Sequence, residues 1–228
     1  MTQKIKIFLV DDHPLVREWL TNLLNQQLDF QVCGETGNAP EALQLVGAAR
    51  PDIAIVDITL ANGSGLELIK SIKASHSAVA VLVLSMHDEM LYAERALRAG
   101  ASGYIMKNEA TKQVIQAVRG VLDGQVYVSA KVSSMLAQKL IGGKKNPMHL
   151  PVAELSDREL EVFQLLGRGY STRQISEHLH VGFKTVQSYS ARIKEKLNLA
   201  NINELMREAI RWQESQNESA NPGLNFKS

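Results

Sequence analysis

The chain has 228 residues, 45% of them hydrophobic and 21% charged, and its 25 Lys and Arg against 24 Asp and Glu leave a net charge of +1. That length suits one or two domains, each able to bury its own core. The single cysteine, Cys33, excludes an internal disulfide framework, no apolar run approaches the ~18 residues of a membrane span, and no basic-then-apolar leader opens the chain, so a cytoplasmic protein is expected.

Through residue 123, short apolar runs alternate with stretches of helical period. The runs are 5–10, 30–34, 53–57, 80–84 and 103–106; the helical stretches are 14–27, 38–49, 65–75, 88–99 and 111–123. Five strands alternating with five helices predict a parallel sheet covered on both faces. Right-handed crossovers favour the flavodoxin-like order 2-1-3-4-5. Residues 126–150 read as a linker with a helix at 129–141, followed by the aperiodic GGKKNPMHLP. From Leu155 only helical patterns remain. Ser156 with Glu159 forms a capping box for a helix to Leu166, Ser171 caps 172–179, Gly182 breaks the pattern before 183–197, and Asn201 or Asn203 caps 202–214. The polar segment 216–228 is expected to be a disordered tail. The domains are thus 1–125, a linker, and 151–215.

Charge is unevenly spread along this plan. Residues 1–125 hold 11 Lys and Arg against 14 Asp and Glu, net −3; residues 126–150 hold four Lys and no acid; residues 151–228 hold ten of each sign. Within the last segment, 168–197 carries six cations against Glu177 and Glu195, a modest basic patch.

Asp11 and Asp12 stand side by side where the first strand ends, and Asp57 ends the third. In a parallel sheet, ligands bind at the carboxyl edge of the strands. The first and third strands are neighbours in the expected order, so three carboxylates converge at one mouth. Their repulsion calls for a hard divalent cation, and Mg²⁺ suits a site of one to three carboxylates. Ser85 ends the fourth strand and Lys107 follows the fifth. A hydroxyl and an ammonium facing such a cluster suit an incoming phosphoryl group, which an Asp carboxylate can attack.

These residues carry a resemblance. FLVDDHPLVRE, DIAIVDITLANGSGLEL, VLVLSMHD and RALRAGASGYIMKN resemble the receiver domain of two-component response regulators over about residues 4–123. The resemblance implies that Asp57 is the phosphoacceptor. It implies that Asp12 directly, Asp11 largely through water, and the Thr59 carbonyl hold Mg²⁺ with Asp57. Ser85 and Lys107 would read the phosphoryl group, Tyr104 would change rotamer with Ser85, and Met86 and His87 would shape access. Leu60 and Ala61 stand where the family often has Met-Pro. Asn108 stands where many members have a cis proline, which leaves the isomer of the Lys107–Asn108 bond open.

In the helical part, STRQISEHLHVGFKTVQSYSARIKEKL reads as helix, short turn, helix. Positions 186, 189, 193 and 197 are expected to face inward, leaving a small polar outer face flanked by cations that suits a major groove. The segment from LSDRELEVF to KEKLNL resembles the LuxR-type helix-turn-helix domain. By that resemblance Lys184, Thr185, Arg192 and Lys194 meet phosphates, Gln187 and Ser188 reach base edges, and Ala191 allows close approach or meets a thymine methyl. The last helix would pair two subunits on an inverted repeat.

The expectation is therefore a DNA-binding response regulator, not an enzyme. It would be phosphorylated by a sensor histidine kinase and form a homodimer on promoter DNA, through the face around 88–99, 103–106 and 111–123 or through helices 14–27 and 111–123. A phosphohydrolase with an Asp nucleophile would typically carry a second Asp two residues on, where this chain has Thr59. A protein-binding adaptor would lack salt-dependent retention on DNA.

Overall fold

The computed structural model describes residues 4–60, 62–141, 151–179 and 181–220. Ala61, the linker residues 142–150 and the tail residues 221–228 lie outside them. The chain divides into two compact units, Met1–Gly142 and Gly143–Ser228.

In the first unit, β1 (Ile5–Val10), β2 (Phe30–Thr36), β3 (Ile53–Val56), β6 (Ala80–Ser85) and β7 (Gly103–Met106) form one parallel sheet in the order β2-β1-β3-β6-β7. This is the expected 2-1-3-4-5 order of a flavodoxin-like fold. The numbering is displaced by a hairpin that the sequence pattern did not announce, β4 (Thr59–Leu60) with β5 (Gly63–Ser64). Five helices cover the sheet: α1 (Pro14–Asn25), α2 (Ala39–Ala49), α3 (Gly65–Ser75), α4 (Glu89–Ala99) and α5 (Ala110–Leu122). Strand side chains alternate between the faces. Ile7, Leu9, Ile53, Ile55, Leu82, Leu84 and Ile105 join Leu20 and Leu24 of α1 and Val114, Val118 and Val121 of α5 in one buried cluster. At ~1.5–3 kcal/mol for each such side chain, this burial outweighs any local helix preference.

The segment after α5 stays with this unit. Tyr104 N donates to Tyr127 O at 2.8 Å and Tyr127 N donates to Ser102 O at 3.0 Å, which extends the sheet edge beyond β7. Helix α6 (Ala130–Leu140) is capped by Ser129 and contacts α4. It buries Val132 and Met135, and Lys139 pairs with Glu94. The helix expected inside a linker is thus packed on its receiver-like neighbour, because its apolar stripe has a partner there.

The second unit is all helical: a 3₁₀ turn at Pro151–Glu154, then α7 (Asp157–Gly167), α8 (Thr172–His178), α9 (Phe183–Lys196) and α10 (Ile202–Ala220). Ser156 and Glu159 form the expected capping box, and Ser171 with Gln174 forms another. Phe163 of α7 lies 5.7 Å from Trp212 of α10, ring to ring, beside buried Leu205 and Ala209. Two expectations need correction. Helix α10 runs to Ala220, so the first five residues of the expected disordered tail are helical. In α9 the inward position is Ser190, 7% exposed, and not Tyr189, which is half-buried. The Ser190 hydroxyl is satisfied by Val186 O at 3.0 Å, so the smaller side chain buries without an orphaned donor.

Candidate phosphoacceptor site and helix-turn-helix

Pairing of β1 with β3 sets Val10 against Val56, and Asp57 N donates to Val10 O at 2.8 Å. The residues that follow the two strands are therefore neighbours, and Asp11, Asp12 and Asp57 meet at the carboxyl edge. Pairing of β6 with β7 sets Ser85 against Met106, and Lys107 N donates to Ser85 O at 2.8 Å. All the strand-end residues singled out in the sequence thus reach one mouth.

Asp57 is 4% exposed, Asp11 3% and Ser85 0%. Lys107 Nζ lies 2.6 Å from Asp57 Oδ2 and 2.6 Å from Asp11 Oδ2. One ammonium shared by two carboxylates neutralises neither fully. Burial accordingly holds the Asp57 carboxyl above the usual carboxylate range, with Lys107 opposing it and Asp11 adding to it. Burial works against the charged form of Lys107, but Asp57 and Asp11 outweigh it and raise its pKa.

Ligand atoms of Asp11, Asp12, His13 and Asp57 lie within 4.8 Å of one another. Asp57 Oδ1 and Asp12 Oδ1 are buried without a hydrogen-bond partner. His13 Nδ1 approaches Asp12 Oδ1 to 2.7 Å, but without the alignment of a hydrogen bond. Two orphaned carboxylate oxygens in one acidic mouth fit a hard divalent cation. The sequence reading missed His13, although it follows the acidic pair directly.

The loop residues form a connected set. Thr59 Oγ1 is 2.6 Å from His87 Nε2, and the His87 ring lies 4.7 Å from that of Tyr92. Tyr104, 2% exposed, donates its hydroxyl to His87 O at 2.7 Å, and His87 N donates to Ser85 Oγ at 3.3 Å. Burial pushes the Tyr104 hydroxyl pKa well above its usual value. His87, read from sequence only as shaping access, therefore links Thr59, Ser85 and Tyr104. The Lys107–Asn108 peptide, left open by the sequence, is trans.

Gly65 is a second residue the sequence reading missed. A Cβ there would lie 2.0 Å from Asp57 O and 2.7 Å from Ile58 Cα. Gly65 N also donates to Ile58 O at 2.8 Å. The start of α3 thus presses on the backbone that carries Asp57, and only glycine allows it. Gly65→Ala is expected to displace this loop and lower stability by about 2 kcal/mol. Denaturant unfolding checks this; an Ala variant as stable as wild type would contradict this role.

In the second unit, Gly182 is the N-cap that precedes α9 and supplies no side-chain cap. Val186, Ser190 and Ile193 are buried, while Lys184, Thr185, Gln187, Ser188, Ala191 and Arg192 are exposed and Lys194 is half-buried. The Ser188 hydroxyl donates to Lys184 O at 3.0 Å, which leaves it an acceptor. The flanking cations and the small outer face form a surface that an anionic duplex can meet.

A family profile of the response regulator receiver domain matches residues 7–119, and one of the bacterial regulatory proteins, luxR family, matches residues 153–209. The chain is 36% identical over 211 residues to the oxygen regulatory protein NreC of Staphylococcus carnosus, covering 91% of this chain and 97% of that one. It is similar to the crystal structure of a two-component response regulator of the LuxR family from Aurantimonas sp. SI85-9A1, with 32% identity and a TM-score of 0.57, covering 61% of this chain and 99% of that one. The fold is also that of RcsB from Salmonella enterica serovar Typhimurium bound to promoter rprA, with 24% identity and a TM-score of 0.67, covering 90% of this chain and 98% of that one.

Proposed function

We infer what the site does from the premise that this chain belongs to the two-component response regulators that join a receiver domain to a LuxR-type DNA-binding domain. It is a DNA-binding transcription regulator of that class. Asp57 is the phosphoacceptor, and the donor is a phosphohistidine on a sensor kinase. The observation that carries this reading is the state of the Asp57 carboxylate. One oxygen is paired with Lys107, while the other is buried and partnerless in an acidic mouth.

In the transfer, Asp57 attacks phosphorus, the O–P bond forms and the donor's P–N bond breaks. Lys107 pairs with a phosphoryl oxygen, and the Ser85 hydroxyl donates to another. Asp11, Asp12, Asp57 and the Thr59 carbonyl would hold Mg²⁺, which when bound neutralises phosphoryl charge. Each Asp57 takes one group and turns nothing over, so the chain acts as a regulator and not as an enzyme.

The change at Ser85 reaches Tyr104 through His87, and Tyr104 through its own amide reaches Tyr127 and the chain that leads into α6. Phosphorylation then biases a two-state equilibrium and does not create a new fold. With α6 on α4, the surface of α1 and α5 is the freer of the two expected dimer faces, and Leu15 of α1 is 79% exposed there. The phosphorylated chain pairs as a homodimer and presents two copies of α9 to an inverted repeat in promoter DNA. Among the described residues no helix is long and apolar enough to cross a membrane, and action on the chromosome assigns the protein to the cytoplasm.

The proposed DNA contacts divide by kind. Lys184, Thr185, Arg192 and Lys194 meet phosphates, Gln187 and Ser188 meet base edges, and Ala191 admits a close approach. Lys184→Ala is expected to weaken cognate and scrambled duplexes alike and to lower the salt slope by about one. Gln187→Ala is expected to cost about 1–3 kcal/mol on the cognate site with little change in slope. Titrations at several salt concentrations test this; equal losses on both duplexes for Gln187→Ala would mean that the helix docks in another rotation.

A further inference from the structure

Phe8, Phe30 and Phe163 are at most 1% exposed, whereas Phe183 is 48% exposed. A lone exposed ring is ordinary on a protein surface; its position is what matters. Phe183 is the first residue of α9. Phe183, Gln187 and Ala191 stand at i, i+4 and i+8, one row along the helix. A Cβ on the preceding Gly182 would meet only Thr185 Oγ1, at 3.6 Å, so that residue leaves open space around the helix start. The row holds Gln187, assigned above to a base edge, and Ala191, assigned to a close approach, with the ring at its leading end.

We infer that Phe183 is a sequence-reading residue that packs against the 5-methyl group of a thymine in the major groove. This rests on the reading of α9 as the recognition helix. The N-terminal residues of such helices approach base edges. A phenyl ring offers neither donor nor acceptor, and the major-groove feature it can read is the thymine methyl. Phe183 precedes Gln187 by one turn, about 6 Å along the axis. With base pairs about 3.4 Å apart, the thymine lies one or two base pairs from the base that Gln187 reads. Lys184, turned about 100° from Phe183, stays on a phosphate.

The test uses the full chain with Mg²⁺ and a small phosphodonor. A bound duplex is first selected from a randomised pool, and each of its thymines is then replaced singly by deoxyuridine, which lacks only the methyl group. Wild type is expected to bind about fourfold more weakly when one particular thymine, close to the base pair sensed by Gln187→Ala, is replaced. Phe183→Ala is expected to bind the thymine and uracil duplexes equally, with its affinity for scrambled duplex unchanged as a check on folding. Phe183→Leu is expected to keep part of the discrimination. The inference fails if wild type ignores every replacement, if Phe183→Ala still discriminates, or if Phe183→Ala weakens all duplexes alike. If the pool yields no enriched sequence, the recognition-helix reading itself fails and takes this inference with it.

Discussion

Asp57→Asn is expected to abolish labelling by a small phosphodonor in Mg²⁺, and a chelator is expected to do the same to the wild type. The expectation rests on the proposed role of Asp57: among the described residues no other carboxylate has one oxygen on Lys107 and the other buried without a partner. Asp11 is the nearest alternative, but its Oδ1 already accepts from His13 N at 2.9 Å. The asparagine variant is expected to be no less stable than wild type in chelator, since it removes a buried carboxylate whose charge the fold disfavours. Label counted after gel separation and a thermal melt check the two parts. Stable label on the Asn variant would assign the phosphoacceptor to another carboxylate.

Lys107→Ala has the second large effect. It leaves Asp11 and Asp57 facing each other in a buried site with no cation. Removing one partner of a buried ion pair costs about 3 kcal/mol, read by urea unfolding in chelator at neutral pH. The sign of its pH dependence is fixed. The Asp57 carboxyl, already raised by burial, then loses the opposing cation and holds its proton more tightly folded than unfolded, so protonation favours the native state and the deficit shrinks as pH falls from 7 towards 5. Added Mg²⁺ is expected to stabilise this variant more than wild type, because there it relieves repulsion that Lys107 otherwise screens. A variant as stable as wild type in chelator would mean that Lys107 does not neutralise the pair.

The five main strands were legible because each is a short apolar run set between stretches of helical period, and their order was expected from crossover handedness. The site was legible for the same reason, since residues at strand ends must gather at the carboxyl edge. The β4–β5 hairpin was not, because two-residue strands leave no alternation to read. Helix α6 was visible as a stripe of Val132 and Met135, yet nothing in a stripe names its partner on α4. The extension of α10 to Ala220 lacks periodicity, and Gln, Glu and Ala carry it by propensity once the packed turns before it have nucleated the helix. Gly65 and His87 escaped because their roles lie in a 2.0 Å approach and a hydrogen bond across 28 positions, neither of which leaves a local pattern.

One titration reads the proposed coupling of Asp57 to α9. The affinity of the full chain for its selected duplex is measured with and without a small phosphodonor, for wild type and for Asp57→Asn, at one salt concentration. The donor is expected to tighten wild type several-fold and to leave Asp57→Asn unchanged. Equal tightening of both proteins, or of neither, would contradict it.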